Sequence, residues 1–320
     1  MFHYDAGLFL TMAQLGVDVR RRQPRSFVSH AHADHIARHE LALATRETGC
    51  LYRHRLGPYH RVLEMAYRVP VTFGGMQLTA YPAGHCMGSA MLLADDGDRS
   101  LLYTGDFKLD ASATSVLAEL PHADILVMES TFGRPHYRLP PRESVVAQLL
   151  EIVHAALAEG KTPVVHAYPL GKSQEVTKLL TDSGVPVLQH RVIHEISVIY
   201  QKCGVDLGDF AAFDGRPLEG HAVITMPRGA RQFRLPNLGR TVSIAVTGWA
   251  KDESAKFRLG VDHALPLSDH ADFDQLVETV RRVEPQEIFC THGPAEFADH
   301  LRDLGFNAYP LQPAPQRRLF

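Results

Sequence analysis

The chain has 320 residues, of which 45% are hydrophobic and 22% are charged, and its net charge is −3. This composition is typical of a globular protein with one large domain or two modest ones, and the charge excludes a global electrostatic attraction to nucleic acid or to membranes. No apolar run approaches the ~18 residues that predict a membrane-spanning helix, and the N-terminus has no basic leader, so we expect a soluble cytoplasmic protein.

The first part of the chain, to about residue 132, alternates short apolar runs with loops. We predict strands in RSFVSH, QLTAYPAG, SLLYTGD and ADILVMES, because each is short, apolar and bounded by turn residues. Each of these runs ends in a polar or charged residue. The strand ends are therefore the places to look for functional side chains.

The middle of the chain predicts a parallel α/β unit. Apolar residues recur at helical spacing in PRESVVAQLLEIVHAALAEG, and a strand (TPVVHAY), a helix (GKSQEVTKLLTDSG) and another strand (VPVLQH) follow. From about residue 241 the chain returns to the style of its first part, with TVSIAVTG, VDHALPLSDHADF, a helix in FDQLVETVRRV and EIFCTHGP.

The four cysteines give no sign of a disulfide framework or a thiolate zinc site, because they are far apart and form no C-x-x-C pair. Histidine is the unusual residue, with 19 in the chain, four of them in SFVSHAHADHIARHE at residues 26–40. A strand that ends in this stretch delivers His30 and His32 to the same side, and Asp34 and His35 follow. A lone H-x-H is most often chance, but the complete H-x-H-x-D-H pattern favours metal binding.

Three later strand ends add further polar side chains: His85 in YPAGHCMGSAML, Asp106 in LLYTGDFK and His292 in EIFCTHGP. Taken singly, His85 could be a loop histidine, Asp106 a turn residue and His292 the neighbour of a helix N-cap. Taken together, four strand ends that converge on one edge of a sandwich predict a binuclear metal site.

The order His-x-His-x-Asp-His, His, Asp, His resembles the metallo-β-lactamase superfamily along nearly the whole chain, which implies an α/β fold, the αββα sandwich. ESTFG with Glu129, GKSQE at Gly171–Glu175, and LSDHAD with His270 are similar to the β-CASP nuclease branch, which has an inserted α/β domain. Here the insertion is short. Together with VTGWA and CTHG, this is most similar to the bacterial ligase-associated DNA exonucleases, also labelled mRNA 3′-end-processing-like factors. We expect residues 1–132 and 248–320 to form the metallo-β-lactamase domain and 133–247 the insertion.

The resemblance also implies roles for the polar residues. One divalent metal ion would be held by His30, His32 and His85, and a second by Asp34, His35 and His292, with Asp106 bridging them; the two ions would be zinc, or alternatively manganese. Asp18 stands at the superfamily's first, structural aspartate. Asp34, His270 and Glu129 would be catalytic, with His270 the general acid and Glu129 orienting it; alternatively, His270 lies apart from the metals and Glu129 caps a helix or forms a salt bridge.

Two stretches are candidates for phosphate binding. Gly171, Lys172 and Ser173 begin a helix, where free N–H groups attract anions, although a plain strand-to-helix turn fits as well. Between Glu219 and Asp252 the sequence has no acid and five cations, including Arg228, Arg231 and Arg234. This run either follows a polynucleotide backbone or is a solvated loop.

The predicted function is a binuclear metal-dependent phosphodiesterase, a DNA exonuclease of DNA repair acting on single-stranded nucleic acid. An RNA-processing ribonuclease of the β-CASP type is the alternative, and His292 does not decide between the polymers. A glyoxalase-type thioesterase would have no use for the Glu129 motif or for a second late histidine, and an inactive scaffold subunit would be expected to have lost ligands. By resemblance, the partners include a DNA ligase or a helicase, and the oligomeric state stays open.

Overall fold

A computed structural model describes residues 1–227 and 238–311. The chain divides into two compact units. The first unit consists of Met1–Ala111, Ser115–Tyr137 and the residues from His270 onward, and the second of Ser112–Thr114 and Arg138–Asp269. The second unit thus runs from about residue 138 to Asp269, compared with the predicted insertion of 133–247, and the strand after residue 247 pairs within it. The division into functional domains stays a prediction.

The first unit contains two sheets. The strands of the first sheet, in spatial order, are β1 (Phe2–Tyr4), β2 (Leu8–Leu10), β3 (Leu15–Val17), β4 (Arg25–Phe27), β5 (Leu41–Ala44) and β6 (Arg61–Glu64). The second sheet has the order β19-β18-β11-β10-β9-β8-β7, formed by β7 (Val71–Phe73), β8 (Met76–Pro82), β9 (Ala90–Asp95), β10 (Ser100–Tyr103), β11 (Ile125–Glu129), β18 (Glu287–Thr291) and β19 (Ala308–Pro310). Its helices are α1 (Arg46–Leu56), α6 (Phe273–Val283) and α7 (Glu296–Asp303).

These elements form the predicted αββα sandwich. Apolar side chains from both sheets share one core, to which Phe27 and Leu43 contribute from the first sheet and Leu78 and Val127 from the second. Helices α6 and α7 cover the other face of the second sheet. On the first sheet, Tyr52 of α1 joins the separate cluster that covers its outer face. The predicted fold class is confirmed.

Helix α6 illustrates how the sequence specifies these layers. The Asp272 side chain accepts a hydrogen bond from the Gln275 amide at 3.0 Å and so caps the helix N-terminus. Buried residues then recur every three or four positions and form one apolar face: Phe273, Leu276, Val277, Val280 and Val283. Each large apolar side chain removed from water contributes ~1.5–3 kcal/mol, so this face fixes α6 against the second sheet.

The second unit is built on a parallel sheet with the order β14-β13-β15-β12-β16-β17. Its strands are β12 (Thr162–His166), β13 (Val187–Gln189), β14 (Phe210–Ala212), β15 (Ala222–Thr225), β16 (Thr241–Val246) and β17 (His263–Leu265), and its helices are α2 (Arg142–Ala158), α3 (Lys172–Asp182), α4 (Arg191–Lys202) and α5 (Ala255–Leu259). All pairings in this sheet are parallel, as the alternation of strands and helices predicts.

A search of the helices in the two described stretches found none that is long and apolar enough to cross a membrane.

Candidate metal centre

The candidate site lies at the carboxyl ends of strands of the first unit. His30 follows β4, while His85, Asp106 and His292 follow β8, β10 and β18. Strands β10, β11 and β18 are parallel to one another, and β8 runs in the same direction because both β8 and β10 are antiparallel to β9. Three of the loops therefore leave the second sheet at one edge, which places their polar side chains together.

The first cluster consists of His30, His32, His85 and Asp106. The His32 Nδ1 atom lies 2.9 Å from His30 Nε2 and 3.1 Å from His85 Nε2. The Asp106 Oδ2 atom lies 3.4 Å from His30 Nε2 and 3.9 Å from His85 Nε2. Three imidazole nitrogens and one carboxylate oxygen thus surround a single small volume.

The second cluster shares Asp106 and adds His35 and His292. The His35 Nε2 atom lies 3.3 Å from Asp106 Oδ2, and the His292 Nδ1 atom lies 3.9 Å from Asp106 Oδ1. The Asp34 Oδ2 atom is 3.8 Å from His35 Nε2, but the Asp34 side chain is 54% exposed. Asp106 is thus shared by the two clusters: its Oδ2 atom is near His30, His85 and His35, and its Oδ1 atom is near His292.

The donor set fits metal ions. The His35 Nε2 atom is buried and has no hydrogen-bond partner among the described residues, which is costly unless another group satisfies it. Each cluster offers nitrogen and oxygen atoms within 4.8 Å of one another, and imidazole with carboxylate is a donor set that zinc accepts. A cation would satisfy the buried nitrogen and offset the charge of the buried carboxylate.

Asp18 determines which ring nitrogen of His30 and His35 faces the clusters. Its Oδ2 atom accepts hydrogen bonds from His35 Nδ1 at 2.8 Å, from the Tyr103 hydroxyl at 2.9 Å and from the Ser29 hydroxyl at 2.5 Å. Since the Ser29 proton goes to Asp18, the Ser29 oxygen accepts from His30 Nδ1 at 2.9 Å. In their neutral form both imidazoles then carry the proton on Nδ1, which leaves Nε2 with the lone pair that faces the cluster.

This hydrogen-bond chain makes Ser29 a testable supporting residue. Ser29→Ala removes the acceptor that holds His30 Nδ1–H but leaves every candidate ligand in place. We expect metal affinity to fall about 10- to 100-fold, the usual cost of losing such a support, as measured by competition with a chromogenic chelator. Ser26→Ala, three residues earlier and also buried, is the control and should keep wild-type affinity. Equal affinity of Ser29→Ala and wild type would contradict the Asp18–Ser29–His30 chain.

Burial and neighbouring charges shift the pKa values of the residues in the two clusters in different directions. Burial lowers the pKa of His30 well below its ordinary value, and the neighbouring imidazoles lower it further. Burial also opposes the charged form of His35, but the carboxylates of Asp106 and Asp18 outweigh it and raise the pKa of His35 well above its ordinary value. Burial alone would raise the pKa of Asp106, yet His35 and His270 hold it well below its ordinary range. These surroundings therefore favour the anionic form of Asp106.

Glu129 and His270 form a pair beside the clusters. The His270 Nδ1 atom lies 3.0 Å from Glu129 Oε1 and 3.1 Å from Oε2, and the His270 ring centroid is 4.8 Å from that of His85. Glu129 is 1% exposed and also accepts hydrogen bonds from the Phe107 amide, at 2.9 Å, and from the Thr131 hydroxyl. The carboxylate is thus fixed, and it fixes the imidazole in turn.

The predicted phosphate contacts are placed differently. Lys172 is 1% exposed, and its ammonium lies 3.1 Å from Glu175 Oε2. The Gly171 amide donates to Gln174 Oε1 at 2.8 Å, and both the amide and the hydroxyl of Ser173 donate to the Tyr168 carbonyl. These groups already have partners in the second unit, so their role in phosphate binding stays a prediction. Arg228, Arg231 and Arg234 lie outside the described residues.

Three supporting side chains were not identified from the sequence: Ser29, Tyr103 and Thr131. Serine, threonine and tyrosine are common, and nothing in their spacing marks them. The ESTFG motif does contain Thr131, and its hydroxyl donates both to Glu129 and, at 3.3 Å, to the His292 carbonyl. His292 itself has a positive φ of 53°, an uncommon backbone conformation for histidine that local contacts must maintain.

An αββα sandwich with a histidine-rich cluster at the strand edge is the metallo-β-lactamase type of architecture. The fold is shared by a crystal structure of a protein of unknown function from Enterococcus faecalis V583, at a TM-score of 0.62 and 15% identity over 91% of this chain and 79% of that one. In addition, residues 255–309 match the family model described as a Zn-dependent metallo-hydrolase RNA specificity domain.

Sequence relatives refine the assignment. A probable DNA ligase of Opitutus terrae is 38% identical over 96% of this chain, which spans 31% of that protein. The endoribonuclease Ysh1 of Schizosaccharomyces pombe is 29% identical over 40% of this chain and 17% of its own length, and the cleavage and polyadenylation specificity factor subunit 3 of Dictyostelium discoideum is 29% identical over 45% and 19%. The chain thus spans less than a third of each of these relatives. These matches support the metallo-β-lactamase, β-CASP family for this chain.

Proposed function

We propose that the chain is a metal-dependent phosphodiesterase that cleaves nucleic acid. The observation that carries this proposal is the Glu129–His270 pair, held beside a cluster of histidines and a shared aspartate. A metal-ligand cluster alone would serve many hydrolases. An imidazole fixed by a buried carboxylate adds a proton donor, which the departure of an alkoxide from a phosphodiester requires.

His30, His32, His85 and Asp106 would hold one ion, and Asp106, His35, His292 and Asp34 the other. A pair of divalent ions held there would activate water as a nucleophile and neutralise charge on the phosphate oxygens. Zinc is the proposed metal, with manganese as the alternative, because nitrogen and carboxylate donors accept both. Asp18 keeps the Nε2 lone pairs of His30 and His35 directed at the cluster.

His270 would deliver the proton to the leaving oxygen. Its Nδ1 is engaged by Glu129, which leaves Nε2 as the nitrogen facing away from that carboxylate. An imidazole can both donate and accept a proton, which a general acid requires over a catalytic cycle. Glu129 would stabilise the cationic imidazole before transfer and keep its ring in one orientation.

DNA is the polymer that we propose, with the product ends passed to a ligase, because a similar stretch occurs within a longer protein named as a probable DNA ligase. An RNA-processing ribonuclease is the second candidate, favoured by the match over residues 255–309 and by the relatives named as endoribonucleases. The proposed phosphate contacts rest on the sequence alone, that is, on the start of a helix and on a basic run. They are Gly171, Lys172, Ser173, Arg228, Arg231 and Arg234.

The test is an end-labelled assay on purified protein. Single-stranded DNA and RNA of one sequence, each with a 5′-phosphate or a 5′-hydroxyl, are incubated with Zn²⁺, with Mn²⁺ or with a chelator. We expect metal-dependent cleavage of DNA, with mononucleotides released from one end. Cleavage of RNA only would replace the first candidate by the second, and the absence of cleavage of either polymer with either metal would contradict the proposed function.

A further inference from the structure

The parallel sheet of the second unit ends in two half-exposed aromatic side chains. Tyr168 is 48% exposed and Trp249 is 46% exposed. Tyr168 follows β12 and Trp249 follows β16, and these adjacent strands pair in parallel with His166 opposite Ala245. The two rings therefore belong to neighbouring loops at the carboxyl edge of one sheet. Large rings left half in water at such an edge are suited to contact with a ligand.

Thr247 links the two loops. Its hydroxyl oxygen accepts a hydrogen bond from the Trp249 amide at 3.4 Å, and its side chain is also hydrogen-bonded to the phenol of Tyr168. Burial and the nearby charge of Asp269 raise the pKa of that phenol, so it is uncharged at neutral pH. The two aromatic residues are thus held by a shared polar contact.

The topology singles out this place in the sheet. The connection that leaves β12 passes through α3 to β13 on one side, whereas the connection that leaves β16 passes through α5 to β17 on the other side. Adjacent strands whose connections diverge form a switch point, and ligands of open parallel sheets bind in the crevice beyond the carboxyl ends of such strands.

The charges nearby suit a polyanion. Lys251 lies two residues after Trp249, and Arg240 directly precedes β16. Asp269, whose charge acts on Tyr168, lies 3.9 Å from the buried ammonium of Lys172, which offsets that charge. Bases carry π-faces and stack on aromatic rings regardless of sequence, while nearby cations attract the phosphate backbone.

We propose that Tyr168 and Trp249 form a stacking platform for the unpaired bases of a nucleic-acid strand. This inference rests on the proposed function, since it gives the substrate of the same protein a second point of attachment. It assigns a binding role to the second unit through its described residues, independently of the three arginines outside them. The platform would favour single strands, because bases in a duplex are already stacked.

The chain contains a single tryptophan, so its emission reports on Trp249 alone. The first measurement titrates the full-length protein with a short oligothymidylate whose phosphorothioate linkages resist cleavage, and then with an abasic strand of the same length and linkages. We expect saturable quenching by the oligothymidylate and weaker binding with little quenching by the abasic strand. Unchanged emission at saturating oligothymidylate, with binding followed by the anisotropy of a labelled strand, would overturn the proposal.

Variants then distinguish the contribution of each aromatic ring to binding from a general effect of the substitution on the fold. Trp249→Leu and Tyr168→Leu should each weaken oligothymidylate binding by roughly 5- to 100-fold, measured by anisotropy, while abasic-strand binding changes little. Trp249→Phe keeps a ring and should recover most of the affinity. Tyr59→Leu, which removes a ring that is 95% exposed in the first unit, is the control and should bind as wild type does. Equal losses on both strands, or no loss at all, would contradict base stacking.

Hydrolysis of bis(p-nitrophenyl) phosphate by the wild type tests the proposed function separately, since it is a phosphodiester without a nucleobase. Hydrolysis without quenching would leave the proposed function standing and reject the platform. Quenching without hydrolysis of the reporter or of either polymer would support the platform as a binding site and reject the nuclease.

Discussion

Asp106→Ala is expected to abolish cleavage and to remove bound metal at the same time. Its carboxylate lies within 3.9 Å of histidines of both clusters, so one substitution takes a donor from both. Loss of a supporting residue alone usually costs 10- to 100-fold in affinity or activity, and we expect loss of this shared ligand to exceed about 100-fold. Elemental analysis should show about two ions per wild-type chain, because seven donors are too many for one tetrahedral ion, and fewer than one in the variant.

The control for this prediction is Asp110→Ala. Asp110 is an exposed carboxylate four residues further along the same loop, and its removal should leave metal content and cleavage unchanged. Circular dichroism of both variants separates loss of metal from loss of fold. An Asp106→Ala protein that keeps two ions, or that keeps wild-type cleavage, would show that Asp106 does not bridge the two clusters.

The second large effect is expected at His270, and it differs in kind. His270→Ala should keep the metal content and the fold of the wild type while lowering turnover on single-stranded DNA by roughly 10²- to 10⁴-fold, which is the usual contribution of a positioned proton donor. The reason is that the buried Glu129 carboxylate engages Nδ1 of His270, and we propose that His270, although close enough to His85 and Asp106 to join a group of ligands, acts as the proton donor. Glu129→Gln should follow the same pattern more mildly, since it removes the charge behind the imidazole but not the imidazole itself.

Two histidines serve as comparisons for His270. His122 is an exposed histidine of the first unit that lies 3.7 Å from Glu284, and His122→Ala should behave as wild type. His292→Ala should lose metal together with activity. If His270→Ala also lost a metal ion, His270 would be a ligand and its assignment as the general acid would be wrong.

The sequence predicted the fold class well because the pattern of apolar residues is local. Helix α6 was predicted over residues 273–283 and spans those residues, and α2 was predicted over 141–160 and spans Arg142–Ala158. Helix α1 was not predicted. Its sequence, RETGCLYRHRL, is largely polar and buries only one side, so apolar periodicity does not reveal it. Thr45 caps its N-terminus by accepting a hydrogen bond from the Thr48 amide.

The candidate ligands were accessible to sequence reasoning because each follows an apolar run, and the strand order then brings them together. The hydrogen bonds that orient these ligands could not be identified from the sequence. The proton on His30 is placed by Ser29 and Asp18, a relation between residues that only the folded chain brings into contact. Lys172 shows the opposite case: a lysine at the start of a helix predicts an exposed anion site, but tertiary packing buries it against Glu175, and no local pattern reports that burial.

The most direct test of the central claim compares His270→Ala with wild type on two substrates in one buffer. Single-stranded DNA needs a proton on its leaving oxygen, whereas the nitrophenolate of bis(p-nitrophenyl) phosphate departs without one. We predict that the substitution lowers turnover on DNA by roughly 10²- to 10⁴-fold and leaves hydrolysis of the reporter within about tenfold of wild type. Equal losses on both substrates would contradict a proton donor at His270, and with it the nuclease mechanism built on the Glu129–His270 pair.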